Sequence, residues 1–286
     1  HLDRLSNDHP WTLLAAHGTA VGMPSDGDMG NSEVGHNAMG AGRIFDQGAK
    51  LVQNAIKSGT IWTSPAWLEA CEAKTLHLVG LVSDGNVHSH IDHLHAMVEK
   101  ASACGVKRLR VHVLTDGRDV SARSALSFVE PLEALLETQP GDYKVGSGGG
   151  RMVITMDRYE ADWPMVQRGW QAHVEGKGRR FRSASNAIET LYSEDPKVDD
   201  QYLPPFVIDD YSGIHDGDAV ILFNFRGDRA VELCQAFDDD QFAAFPREHN
   251  PDVFFAGMMQ YDGDLNIPKN YLVQPPVITN TVSEQL

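Results

Sequence analysis

Leu76 to Val82 (LHLVGLV) decides the fold, because it is an apolar run of strand length that ends in a polar turn. The turn is Ser83 to His88 (SDGNVH), and in the next segment, His90 to Ala103, apolar residues recur at helical spacing. A short buried strand that passes through a loop into an amphipathic helix is typical of proteins that alternate strands and helices around one sheet. The sequence therefore predicts an α/β fold with a parallel portion.

The same alternation continues along the chain. The predicted strands, each bounded by Gly, Asp or Pro, are Leu76–Val82, Leu109–Leu114, Lys144–Ser147, Ala219–Phe225 and Val253–Met258. The predicted helices are His90–Ala103, Ala122–Leu136, Trp163–Val174 and Ala187–Tyr192. The basic segment Gly176–Arg182 is predicted as a loop, and Gln201–Ile208 and the Pro275-Pro276 pair are predicted as rigid, non-helical connectors.

Four polar loops directly follow predicted strands, and they are Ser83–His88, Asp116–Asp119, Ser147–Arg151 and Arg226–Arg229. Because loops after parallel strands meet at one edge of the sheet, we expect them to share a site. Their arginines, joined by a fifth nearby, are Arg118, Arg151, Arg158, Arg226 and Arg229. Guanidinium groups pair with phosphate and carboxylate, so the loops together predict a site for a small polyanion. Any one Asp-Arg pair alone is more often a loop-bracing ion pair.

The overall charge limits the classes of partner. The chain of 286 residues carries 40 acidic against 24 basic side chains, a formal net charge of -16. Broad attraction to nucleic acid or to an anionic membrane is therefore not expected, and no apolar run is long enough to cross a bilayer. Three widely spaced cysteines without metal-ligand spacing indicate a reducing compartment, and we expect a cytoplasmic protein.

The segment Asp26 to His36 (DGDMGNSEVGH) places a single serine, Ser32, among glycines, carboxylates and an imidazole. One interpretation is a nucleophile exposed by a glycine-rich turn. The other is a structural turn in which Asn31 and Ser32 cap a helix that begins at Glu33. Both can hold together, because the start of a helix also stabilises an attached phosphate.

A histidine-rich stretch, containing His88, His90, His93 and His95, invites a metal hypothesis. The spacing argues against it, because His95 points away from the other helical pair and no carboxylate completes a ligand set. His88, in the loop before the helix, is the member we predict to donate to a phosphate or hydroxyl.

Taken together, these motifs resemble the cofactor-independent phosphoglycerate mutases, particularly the plant-like branch, over essentially the whole chain. Asp28 to His36 followed by Gly40 to Arg43 is similar to the phosphoserine segment of that family. The resemblance implies that Ser32 is the nucleophile and a metal contact. It also implies that the substrate is held by His88, Arg118, Asp119, Arg151, Arg158, Arg226 and Arg229.

The resemblance further implies interconversion of 3-phosphoglycerate and 2-phosphoglycerate in glycolysis and gluconeogenesis through a phosphoserine. The implied cofactors are two divalent metal ions, Mn²⁺ or Mg²⁺ with Co²⁺ as a further option, and no 2,3-bisphosphoglycerate. The implied partner is the small-molecule substrate, with no nucleic acid and no membrane, and the protein is expected to be a monomer.

The resemblance implies two domains. Residues 1–45 are interpreted as part of an alkaline-phosphatase-superfamily domain, residues 46–275 as an inserted α/β transferase domain, and residues 276–286 as a hinge and return. The remaining metal ligands of the family would precede His1 or follow Leu286, so we interpret the chain as an excerpt.

Two alternatives stay open. A metal-dependent phosphatase or phosphopentomutase of the same superfamily would share the nucleophile loop but need not carry all four arginine loops. A module that binds phosphoglycerate without catalysis would keep the arginines and lack the metal half.

Overall fold

The computed structural model describes residues 1–276 and 278–285, which form two compact units. One unit comprises His1–Gln47 and the described residues after Pro276, and the other is Gly48–Pro276. Across these described residues, none of the helices has both the length and the apolar character that a bilayer crossing requires.

The larger unit is built on a single sheet. Its eight described strands are β1 (Leu76–Leu81), β2 (Arg108–Thr115), β3 (Asp142–Gly150), β4 (Arg179–Phe181), β5 (Phe206–Ile208), β6 (Ala219–Leu222), β7 (Phe254–Met259) and β8 (Tyr271–Val273). Their order across the sheet is β4-β5-β3-β2-β1-β6-β7-β8. All neighbours run parallel except β3 and β5. The predicted α/β class is confirmed.

Strand β1 lies in the middle of the sheet, and every one of its residues is buried. Burial on both faces explains its nearly continuous apolar sequence. Leu76 lies opposite Leu109 of β2 on one side and Ala219 of β6 on the other. The chain adds β2 and β3 on one side of β1 and later returns as β6 on the other. The strand order therefore reverses between β1 and β6, which is where open α/β sheets bind ligands.

Helices occur in both units. They are α1 (Leu2–Asp8), α2 (Ser32–Ala41), α3 (Gly48–Ser58), α4 (Pro65–Cys71), α5 (Ile91–Ala103), α6 (Ala125–Glu137), α7 (Trp163–His173), α8 (Ala184–Glu194), α9 (Val231–Asp238) and α10 (Val282–Gln285). The larger unit contains helices α3 to α9, and the smaller unit contains α1, α2 and α10. Helix α5 buries the predicted apolar face, including Leu94, Met97 and Val98. Helix α6 buries Ala125 where the prediction had Leu126, which is only partly buried. Trp170 of α7 belongs to a buried cluster with Val79 and Phe255 of the sheet.

The predicted loop and one predicted connector each contain a strand, and the connector also begins inside a 3-10 turn, Asp200–Tyr202, so these predictions were wrong in part. The segment Gly176–Arg182 includes β4, and Gln201–Ile208 includes β5. Each strand has three residues, which is too short for an alternating pattern to be recognised. Strand β3 also extends three residues beyond its predicted end, to Gly150, because the glycines after Ser147 pair with β2 and β5. Strand β6 ends at Leu222 and not at Phe225.

Candidate active site

The loops after β3, β2, β1 and β6 emerge side by side, because these four strands are neighbours in the sheet. Leu81 lies opposite Leu114, so β1 and β2 reach the same edge together. A Cβ atom on Gly85 would lie 2.9 Å from the Cβ atom of Asp119, so glycine is what lets the first two loops approach this closely. The structure thus places the four loops together, as the sequence predicts.

Asp116 connects three of these loops from a buried position. Its Oδ2 accepts a hydrogen bond from the Ser83 hydroxyl at 2.6 Å. Its Oδ1 accepts from the backbone amides of Arg118 and Asp119 at 3.2 and 3.1 Å. The side chain is 2 % exposed, so these bonds form without competition from water. Sequence reasoning gave Asp116 no role, although its position three residues before Asp119 is a turn signal.

Arg151 is held between two carboxylates. Its Nη1 donates to Asp116 Oδ1 at 2.7 Å and to Asp119 Oδ2 at 2.6 Å. The arginine is 2 % exposed, and within residues 1–276 and 278–285 its Nε has no hydrogen-bond partner. Arg151 therefore orients Asp119, and its predicted contact with substrate stays a prediction.

Asp228 organises the opposite half of the site. Its Oδ2 lies 3.0 Å from Arg226 Nη2 and 3.5 Å from Arg158 Nε. Its Oδ1 lies 3.7 Å from His88 Nδ1, which is beyond hydrogen-bond range. One carboxylate thus gathers three of the predicted substrate residues, from the loops after β1, β3 and β6. The sequence analysis gave Asp228 no role either, although it lies in the Arg226–Arg229 loop, two residues after Arg226.

Arg229 links the loop after β6 to the loop after β3. Its Nη1 donates to the backbone carbonyl of Met156 at 2.7 Å. Burial lowers the pKa of Arg229, and the charges of neighbouring arginines lower it further against the opposing effect of Asp228. The largest of these arginine contributions comes from Arg151.

His88 lies close to several of the arginines. It is 3 % exposed, and burial lowers its pKa well below the ordinary value. Four nearby guanidinium charges add to the effect, and they belong, in decreasing order of influence, to Arg151, Arg226, Arg229 and Arg118. Arg158 joins the group through Asp228. We call Arg118, Arg151, Arg158, Arg226 and Arg229 the arginine basin.

The other histidines of the predicted cluster have packing roles. His90 precedes α5, and its Nδ1 accepts from the amide of Asp92 at 3.1 Å. His93 lies 6.1 Å from the Phe225 ring between centroids, and burial lowers its pKa to about 4. A neutral, packed His93 is consistent with a core histidine.

Ser32 lies in the smaller unit as the exposed first residue of α2. Asn31 is the helix cap, because its Oδ1 accepts from the Val34 amide at 3.1 Å. His36 follows one turn later, and its Nδ1 lies 2.6 Å from the Ser32 carbonyl oxygen. The helix thus begins one residue before the predicted Glu33, and Ser32 stands at its positive end.

Within the part of the chain that the structure describes, no group of three His, Cys, Asp or Glu side chains could hold a metal ion. Near Ser32, Asp26 accepts instead from Thr19, and Asp28 accepts from the Ser25 amide at 2.6 Å. These residues do not form a two-metal site by themselves.

Known proteins match this chain over its full length. Residues 52–263 match the family described as BPG-independent PGAM N-terminus (iPGM_N). A protein of Leptospira interrogans named probable 2,3-bisphosphoglycerate-independent phosphoglycerate mutase is 54% identical, covering 100% of this chain and 54% of the relative. The enzyme of that name from Zea mays is 53% identical, covering 100% of this chain and 53% of the relative.

A solved structure agrees with these sequences. A crystal structure of Leishmania mexicana phosphoglycerate mutase, described as at low cobalt concentration, matches with a TM-score of 0.95 and 51% identity. The match covers 99% of this chain and 54% of the Leishmania chain. The chain therefore spans about half the length of the relatives it matches. On these findings, the chain belongs to the family of 2,3-bisphosphoglycerate-independent phosphoglycerate mutases.

Proposed function

We propose that the protein interconverts 3-phosphoglycerate and 2-phosphoglycerate through a phosphoserine on Ser32, without 2,3-bisphosphoglycerate, as a step of glycolysis and gluconeogenesis. The observation that carries the proposal is the arginine basin, which concentrates cationic groups at one edge of the sheet in a chain of net charge -16. The family names support it, since the relatives are called phosphoglycerate mutases.

The charges of the basin fit a doubly anionic substrate. Of its five guanidinium groups, those of Arg151, Arg158 and Arg226 pair with three carboxylates between them, which belong to Asp116, Asp119 and Asp228. Cationic charge is therefore in excess, and a phosphate together with a carboxylate would neutralise it through bidentate hydrogen bonds. Arg118 is exposed and is the member best placed to reach an incoming ligand.

Proton transfer is assigned to Asp119. Arg151 fixes one of its oxygens, which keeps the carboxylate oriented while it exchanges a proton with the glycerate hydroxyls. His88 is neutral, so it contributes one N–H donor or one acceptor and no charge. Glycerate must stay bound between the two transfers, because water would otherwise hydrolyse the phosphoserine.

Ser32 is proposed as the nucleophile because it is an exposed hydroxyl at a helix start, where backbone N–H groups and the helix dipole favour an attached phosphate. We propose a requirement for divalent metal ions, Mn²⁺, Mg²⁺ or Co²⁺. The described side chains do not form that site alone.

The test replaces the nucleophile. In the full-length protein that carries this chain, Ser32→Ala should abolish formation of 2-phosphoglycerate, followed by phosphorus NMR without added 2,3-bisphosphoglycerate. Binding of 3-phosphoglycerate, measured by calorimetry, should persist. Ser25→Ala, in the same exposed loop region, is the matched control and should keep full turnover.

Two outcomes would overturn the proposal. Turnover by Ser32→Ala would reject the nucleophile. Release of inorganic phosphate by the unaltered protein in place of isomerisation would indicate a phosphatase.

A further inference from the structure

A line of buried polar side chains crosses the sheet from the start of β6 to the loop after β3. We call it the histidine network, and its members are Asp218, His77, His112, Ser147, His173 and Thr155. All are at most 3 % exposed. None of them belongs to the proposed substrate site, so a network of this length calls for a separate role.

The first half of the network joins neighbouring strands. Asp218 Oδ2 lies 3.3 Å from His77 Nε2, and His77 Nδ1 lies 3.0 Å from His112 Nε2. His112 Nδ1 then lies 2.7 Å from the hydroxyl of Ser147. These contacts run from β1 through β2 to β3, along adjacent strands of the sheet.

The second half leaves the sheet. The Ser147 hydroxyl lies 2.7 Å from His173 Nδ1, on the last residue of α7. His173 Nε2 lies 2.9 Å from the hydroxyl of Thr155, in the loop that carries Arg158. Every histidine of the network therefore uses both ring nitrogens.

The three histidines are neutral. Burial lowers the pKa of His173 to about 3 and that of His112 well below its ordinary value. Burial also lowers the pKa of His77, and outweighs the opposing effect of Asp218. Burial would raise the pKa of Asp218, but hydrogen bonds led by that from His77 bring it below its ordinary value. Asp218 is thus an anion and can only accept.

A neutral histidine has one donor and one acceptor nitrogen, so the anion fixes every proton in turn. His77 must donate from Nε2 to Asp218, and its Nδ1 then accepts from His112 Nε2. His112 Nδ1 therefore accepts from the Ser147 hydroxyl, whose oxygen accepts from His173 Nδ1. His173 Nε2 is left as an acceptor, and the Thr155 hydroxyl must donate to it.

Thr155 occupies an unusual backbone conformation. Its φ is 68°, in the left-handed region, which is costly for a β-branched residue. A Cβ atom on Gly169 of α7 would lie 2.2 Å from the Thr155 hydroxyl oxygen, so the helix leaves room for that side chain. The Thr155 amide also donates to the Met165 carbonyl at 3.0 Å.

The next residue makes the connection to the basin. Met156 follows Thr155 directly, and its carbonyl accepts the hydrogen bond from Arg229 at 2.7 Å, so the backbone held at Thr155 leads straight into the acceptor of Arg229. We propose that Thr155, held by its donated hydrogen bond to His173, is a positioning residue that aims the guanidinium of Arg229 at the phosphorylated substrate. This assignment rests on the proposed function for the identity of the ligand.

The experiment measures, by calorimetry, the affinity for 3-phosphoglycerate of the full-length protein that carries this chain. Thr155→Val keeps the shape and removes the hydroxyl, and we expect about tenfold weaker binding. Thr155→Ser keeps the donor and should restore binding to within about twofold. Thr190→Val, which removes a hydroxyl that donates to Asn186 in α8, is the matched control and should bind as the unaltered chain does.

A double-mutant cycle distinguishes positioning from general support of the fold. If Thr155 acts through Arg229, Thr155→Val should cause no further loss in an Arg229→Ala background. Additive losses would overturn the proposal. If the unaltered full-length protein does not bind 3-phosphoglycerate, the proposed function fails instead.

A second measurement needs no ligand and no variant. Long-range proton–nitrogen NMR correlations should show the Nδ1–H tautomer for His173 and the Nε2–H tautomer for His77 and His112. An Nε2–H tautomer at His173 would reverse the final hydrogen bond and reject the assignment of Thr155.

Discussion

The histidine network is fully buried, whereas the arginine basin extends from buried Arg151 and Arg226 to exposed Arg118, and the two polar regions compensate for lost contact with water in opposite ways. The network carries one charge, at Asp218, and both ring nitrogens of His77, His112 and His173 have partners. The basin carries many charges, and among the described residues His88 Nδ1, Arg151 Nε and Asp228 Oδ1 lack hydrogen-bond partners.

The difference shows what each region can do. A fully satisfied network has no capacity left for a ligand, so its effect is to hold one arrangement of the chain. A basin with excess positive charge and incomplete hydrogen bonding is stabilised when an anion binds. Stability should therefore depend on both regions, whereas anion affinity should depend directly on the basin alone.

The largest expected effect comes from removing a buried charge. Arg151→Met leaves the carboxylate of Asp116, which is 2 % exposed, without its counter-charge. We expect a loss of about 3–5 kcal/mol in the free energy of unfolding, measured in urea. Arg108→Met is the matched control, because that arginine is 58% exposed in its pair with Asp142 and should cost about 0–1 kcal/mol. Equally small losses of stability for Arg151→Met and Arg108→Met would show that the ion pair between Arg151 and Asp116 does not stabilise the fold.

An intermediate effect is expected from acid. Unfolded histidine takes up a proton near pH 6.5, whereas His173 in the folded chain does so only near a pKa of about 3. The unfolded state therefore binds more protons in this window, and the stability that is present above pH 6.5 is lost as the pH falls. His173 alone should cost about 1.4 kcal/mol per pH unit, measured by urea unfolding from pH 6.5 to 5.

Two variants sharpen that measurement. His173→Gln keeps hydrogen-bonding groups without a titrating ring, so its stability should fall less steeply with acid. His9→Gln, at an exposed position, is the control. Equal slopes for His173→Gln and the unaltered chain would contradict a neutral His173.

The smallest effect on stability should come from the rim of the basin. Arg118 is exposed, and Arg118→Ala should change the free energy of unfolding by less than about 0.5 kcal/mol. Its loss should nevertheless weaken 3-phosphoglycerate binding about tenfold, measured by calorimetry, because a charge-assisted hydrogen bond is removed. Arg182→Ala, also exposed, should leave binding unchanged. Identical affinities for the two variants would place Arg118 outside the site.

The basin was more predictable from sequence than the network. The apolar run of β1 predicts a buried parallel strand, and that strand fixes where the next polar loop must emerge. Repeating this argument for β2, β3 and β6 brings Arg118, Arg151 and Arg226 to one edge without any side-chain detail. The sequence does not identify Asp116 and Asp228 as connecting residues, because a carboxylate beside an arginine has the same sequence pattern whether it contacts one loop or three.

No pattern in the sequence predicts the histidine network. His77, His112 and His173 lie far apart in sequence, and each has ordinary neighbours for its strand or helix. The register of β1, β2 and β3 brings His77 and His112 together with Ser147, and α7 places His173 against Ser147. Helices α3 and α4 were also missed. For α4 the sequence did contain a signal, because Ser64 caps the helix and Pro65 follows in its first turn.

The pairing of β1 with β6 has a consequence for the order of events during synthesis. Leu76 and Ala219 are adjacent in the sheet although most of the larger unit separates them along the chain. A nascent polypeptide can complete β1, β2 and β3 early, but it acquires Arg226 and Arg229 only after β6 has left the ribosome. The cationic groups of the loop after β6 therefore join those of the loops after β2 and β3 only when the centre of the sheet closes.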